Sequence, residues 1–134
     1  MARNWLVQAG VVAAGAVAVI GGSAGTASAA NTQAVLYDRS NDLAASMLHV
    51  DSDPDKFYIK DHKKDGHGVR GTLQLLETGT WRNLKSMYNG KGARTAVTMP
   101  RDITDGYTYR LKICTVDGAG DTTPVQCAFK KFEE

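Results

Sequence analysis

The chain has 134 residues, 16 Lys and Arg against 14 Asp and Glu, two Cys and 43% hydrophobic residues. These counts exclude a collagen-like, coiled-coil or disulfide-dense scaffold, and the length excludes a multidomain protein. The average hides a division: 18 of the first 29 residues are hydrophobic but only 39 of the following 105, and every acidic residue lies after position 37.

Residues 1–29 read as a secretory signal peptide. Arg3 gives a short positive start, Trp5 to Ile20 is apolar, and Ala27-Ser28-Ala29 is the small-x-small pattern a signal peptidase accepts. Cleavage is expected after Ala29 or Ala30. The apolar run falls short of the roughly 20 residues a bilayer span needs, so no transmembrane anchor is expected in the mature chain. Removing the leader leaves 15 bases and 14 acids. That balance gives no electrostatic case for nucleic acid or an acidic membrane as partner.

Residues 30–46 form an N-terminal extension, either poorly structured or an edge strand, and a β-sandwich domain is expected over 47–134. Period-two alternation predicts seven strands: Met47–Asp51, Lys56–Asp61, Val69–Glu77, Trp81–Tyr88, Ala93–Met99, Tyr107–Val116 and Val125–Phe132. Turn signals such as Asp53-Pro54-Asp55, Asp65-Gly66, Asn89-Gly90 and Asp117-Gly118 separate them. Short strands punctuated in this way predict an all-β, seven-stranded antiparallel sandwich. Cys114 and Cys127, the two cysteines of the sequence and an even pair in an exported chain, are expected to form one disulfide worth roughly 3 kcal/mol.

The stretch from Asp105 to Val125 (DGYTYRLKICTVDGAGDTTPV) resembles the last two strands of a fibronectin type III domain. The resemblance implies an Ig-like sandwich in which Tyr107 takes the corner position, its hydroxyl bonding back to the backbone upstream. The chain as a whole resembles small secreted actinobacterial proteins of unknown function, which share a leader, an Asp-rich early segment and a late Cys pair. That likeness implies a location and a fold, and no activity. One point is left open by alternation: Cys114 lies opposite Ile113 and so outward, while Cys127 shares parity with Val125 and Phe129, which read as inward. A bulge is the favoured resolution; an outward Phe129 is the other.

Asp51, Asp53 and Asp55 place carboxylates at alternate positions, a candidate Ca2+ site of a loose extracellular kind. An EF-hand is excluded, because its sixth and twelfth positions would be Lys56 and His62. His62 and His67 flank a charged turn that reads as an exposed loop. No nucleophile elbow, unpaired Cys or phosphate loop is present, so no catalytic residue is assigned. Binding is the expected class. Trp81, Tyr88 and Arg82 are its candidate ligand-binding residues, and a protein or cell-wall polysaccharide is the expected partner. A carbohydrate- or wall-binding module is the alternative, and a protease inhibitor presenting the 117–124 hairpin loop is a third.

Overall fold

The structure is a computed structural model that describes residues 31–134; the expected signal peptide, with its expected cleavage residues Ala29 and Ala30, lies outside the described residues. Among the described residues eight strands form two antiparallel sheets and there is no helix: β1 Thr32–Tyr37, β2 Leu43–Val50, β3 Lys56–Asp61, β4 Gly68–Glu77, β5 Thr80–Asn89, β6 Thr95–Pro100, β7 Thr108–Val116 and β8 Gln126–Glu133. One sheet runs β1-β2-β3-β6 and the other β5-β4-β7-β8. The expected seven strands correspond to β2–β8. The eighth, β1, is formed by residues that the sequence reading placed in the N-terminal extension, and it lies at the edge of its sheet.

The strands bury alternate residues. Met47 from β2, Phe57 and Ile59 from β3, and Met99 from β6 meet Val69 and Leu73 from β4 and Leu111 and Ile113 from β7. All eight have no exposed surface. Gly71 lies in this layer because a Cβ there would drive into the Ile59 side chain across the sandwich. Asn89 closes one side: its amide donates to the carbonyls of Ile59 (3.2 Å) and Thr95 (2.9 Å), and its oxygen accepts from Lys91 N (3.0 Å). On the other side, Gln126 Nε2 donates to Tyr37 O at 2.9 Å, joining β8 to β1.

Two expectations about the last strands are corrected. Tyr107 is 52% exposed, and the buried tyrosine is Tyr109. The Tyr109 hydroxyl accepts from Thr104 N at 2.9 Å and donates to Thr104 O at 3.2 Å. The Cys114 register needs no bulge. β7 and β8 pair without a shift from Thr108↔Glu133 to Thr115↔Gln126, and Cys114 stands directly opposite Cys127 with Cα atoms 4.1 Å apart. The disulfide therefore lies on the outer face, and Val125 and Phe129, each about half exposed, point outward with it.

Candidate functional site

The outer face of β5-β4-β7-β8 carries a row of cations and aromatic rings. Register places Arg70, Thr72 and Gln74 of β4 beside Cys114, Lys112 and Arg110 of β7, and these beside Cys127, Phe129 and Lys131 of β8. Trp81 and Tyr88 of β5 join the same face by pairing with Leu76 and Arg70. They are seven apart, so in a regular strand they would point to opposite faces. A bulge opposite Leu73/Gln74 adds one residue to β5 and turns both rings outward. Leu84, packed against the core, sits at that bulge.

Arg110 occupies the centre. Its guanidinium carbon lies 4.3 Å from the Trp81 ring centroid and 4.4 Å from that of Phe129. Its Nε donates to Gln74 Oε1 at 2.8 Å, and Gln74 is held in turn by donating to Asn83 Oδ1 at 2.7 Å. Burial between the rings lowers the arginine's proton affinity. Among the described residues Arg110 has no ion pair. Lys112 lies 6.0 Å from the Phe129 centroid and Arg70 5.8 Å from that of Tyr88. Such contacts contribute about 0.5–1 kcal/mol when exposed and about 2 when desolvated. The strands of this face thus hold Arg70, Arg110, Lys112 and Lys131 against Glu133, and Asp121 of the 117–124 loop lies beside Arg70.

Of the ligand-binding residues expected from sequence, Trp81 and Tyr88 share this face and Arg82 does not. Arg82 pairs with Leu75 on the opposite parity, and its Nε donates to Glu77 Oε1 at 3.0 Å. Arg110 and Phe129 were missed. The signal for Arg110 was present, since the Tyr109/Leu111/Ile113 stripe puts it outward, but its ring partners lie on other strands.

The three aspartates of the candidate calcium site separate. Asp51 and Asp53 are exposed on the β2–β3 turn. Asp55 is buried and faces inward, its Oδ1 accepting from His49 Nε2 at 2.9 Å and its Oδ2 from Ile103 N at 3.2 Å. The Glu134 side chain belongs to the same neighbourhood. Burial pushes its carboxyl up; His49 opposes this, and Asp51, Asp55 and Asp105 add to it.

The histidines of the charged turn diverge as well. His62 Nε2 lies 2.8 Å from the Oγ of Ser46, which is buried, and His67 Nδ1 lies 2.6 Å from Asp117 Oδ1. The 117–124 loop is braced from within. Asp121 accepts from the backbone of Asp117 and Thr123, which lowers its carboxyl's proton affinity, and Arg70 donates to the carbonyls of Ala119 and Asp121.

No protein-family model matches the chain, and no curated protein matches it. Among solved structures it is similar to an endonuclease/exonuclease/phosphatase from Beutenbergia cavernae DSM 12333, with 21% identity and a TM-score of 0.53. The match covers 77% of this chain and 27% of that one, so the chain spans about a quarter of the neighbour's length. At that identity the likeness concerns the fold alone.

Proposed function

We propose that the chain is an exported, non-catalytic recognition module on a fibronectin-III-like sandwich, and that it binds an anionic protein partner through the outer face of β5-β4-β7-β8. Two features support the fold reading. The strands β2–β8 divide three and four between sheets joined by crossovers, and Tyr109 near the start of β7 bonds back to Thr104, as a corner tyrosine does. The cysteine pair is compatible with an oxidising compartment.

The observation that carries the functional reading is Arg110. A guanidinium stacked against two rings and held at Nε by Gln74 is pre-oriented to offer its Nη edge to a carboxylate, and among the described residues it has none of its own. Pre-alignment reduces the entropy lost on binding, and the planar fork suits bidentate recognition. Arg70, Lys112 and Lys131 supply attraction of the same sign. A neutral-sugar platform has less support, because one face of Trp81 is covered by Arg110.

Binding of the purified chain to Asp/Glu-rich and to neutral peptides, read by fluorescence anisotropy, tests the proposal. Acidic peptides are expected to bind preferentially, with affinity falling as salt rises. Arg110→Lys, which keeps the charge and loses the fork, is expected to weaken binding about tenfold. Equal binding of both peptide classes, or an unchanged Arg110→Lys, defeats the proposal. The braced 117–124 loop favours a second reading, a protease inhibitor, which an inhibition assay with Asp121→Ala addresses.

A further inference from the structure

His49 belongs to the inward parity of β2 with Ala45 and Met47, yet it is an imidazole with no exposed surface. It stacks against Phe57 at 4.8 Å and lies 4.9 Å from Phe132, so the ring is fixed in place. Nε2 meets Asp55 Oδ1 at 2.9 Å, but Nδ1 is buried without a partner, and so is Oε2 of Glu134. One ligand atom from each of His49, Asp55 and Glu134 lies within 4.8 Å of the others.

No protonation state of the ring removes this deficit. With the proton on Nε2, the bond to Asp55 is made and a bare Nδ1 lone pair remains in the interior. With the proton on Nδ1, the Nε2 lone pair faces the Asp55 oxygen. An imidazolium satisfies Asp55 and still leaves an Nδ1–H without an acceptor. Buried polar atoms left in this state are rare. Positive charge is also short: among the described residues no Lys or Arg pairs with any of the three, while Asp51 and Asp105 act on Glu134 from nearby.

We propose that His49, Asp55 and Glu134 form a binding site for a divalent transition-metal cation of the zinc type. One imidazole nitrogen and two carboxylates match the mixed N/O sets that hold such ions, with a fourth position left for water. Calcium and magnesium are disfavoured, since they take six or more ligands, mostly or wholly oxygen. A charge of +2 balances the two carboxylates around a neutral ring. Tetrahedral N/O ligands stand about 3.3 Å apart at normal bond lengths. The contact already made is His49 Nε2 to Asp55 Oδ1 at 2.9 Å, which opens by a few tenths of an ångström to admit an ion on Nε2 and leaves Nδ1 as the protonated nitrogen; the half-buried Glu134, whose Oε2 is buried without a partner, is the residue that closes in. The Ile103 N–H on Asp55 Oδ2 keeps that carboxylate oriented. A bound ion would tie β2, the β2–β3 turn and the segment after β8 together. The site lies on the inward side of the sandwich and is independent of the outer recognition face.

The chain stripped with EDTA and titrated with zinc tests this by thermal melting and calorimetry. At a hundredfold excess over the dissociation constant, the melting temperature is expected to rise by about 10 °C or more. Cobalt is expected to give a visible absorption band. Glu134→Gln, which preserves shape, is expected to abolish the rise, and Asp55→Asn to reduce it. His67→Gln, on the surface beside Asp117, is expected to leave it intact. If His49→Gln fails to fold, Glu134→Gln decides alone. Absence of saturable zinc binding overturns the proposal, a water or proton then filling the gap; so does a rise that survives Glu134→Gln.

Discussion

Asn89 has no exposed surface and is bonded to β3, to β6 and to its own turn. Asn89→Ala would leave the carbonyls of Ile59 and Thr95 and the amide of Lys91 without that partner. The expected cost is about 3 kcal/mol, read as a lower denaturation midpoint at unchanged slope. Sequence marked Asn89 only as a turn former beside Gly90, because nothing local shows that the turn closes against another sheet. The same reason hid the His49–Asp55 pair. His49 shares parity with Ala45 and Met47, which was legible as an inward position, but its partner lies across a turn whose three aspartates looked alike. Trp81 and Tyr88 were found from their chemistry, and the bulge at Leu84 that unites them left no mark in the alternation.

At the scale of the element, β7 was the most legible, since Tyr109, Leu111 and Ile113 face in while Arg110 and Lys112 face out. β8 was misread in orientation because Val125 and Phe129 look like core residues and are half exposed instead. β1 and the start of β2 were obscured differently. The outward side of β1 carries Val35 and Tyr37, which erases its contrast with Ala34 and Leu36. Ala44-Ala45-Ser46 buries small side chains of weak strand preference. The Cys114–Cys127 bond lies near the loop end of the β7–β8 ladder and fixes a register that the hydrophobic pattern alone states poorly. Replacing both cysteines with serine is expected to lower stability by about 3 kcal/mol, and the melting temperature by roughly 10–20 °C in a scanning melt.

For the whole molecule, the titrating groups divide by pH. Burial, with Lys60 nearby, keeps His62 from taking up a proton as readily as a free imidazole. The unfolded ring is protonated below about pH 6.5. The unfolded state therefore binds more protons, and stability falls as pH drops through that value. Asp38 and Asp121, held low by hydrogen bonds, lose their contribution only in stronger acid. Asp61 and Glu134, pushed up chiefly by burial, act in the opposite sense, their contribution being lost as pH rises above the usual carboxylate range. Stability is thus expected to fall in melts taken from about pH 7.5 down to about 6, and His62→Gln to make that slope shallower. The all-β architecture was legible from turn spacing. The concentration of bases on one face was not, because a near-neutral total conceals how strands distribute charge.

The contacts that close the two sides of the sandwich also limit how anything can dock on it. Gln126 reaches the Tyr37 carbonyl between β8 and β1, while Asn89 and Lys85 reach the Thr95 and Pro100 carbonyls between β5 and β6. Both outer strands of each sheet are thereby engaged with the opposite sheet, and Lys130 and Lys131 add charge along β8. At those positions a visiting peptide finds the edge carbonyl already taken by a side chain of the opposite sheet. If the proposed recognition runs through side chains alone, a ligand with an N-methylated main chain is expected to bind as well as its unmethylated parent.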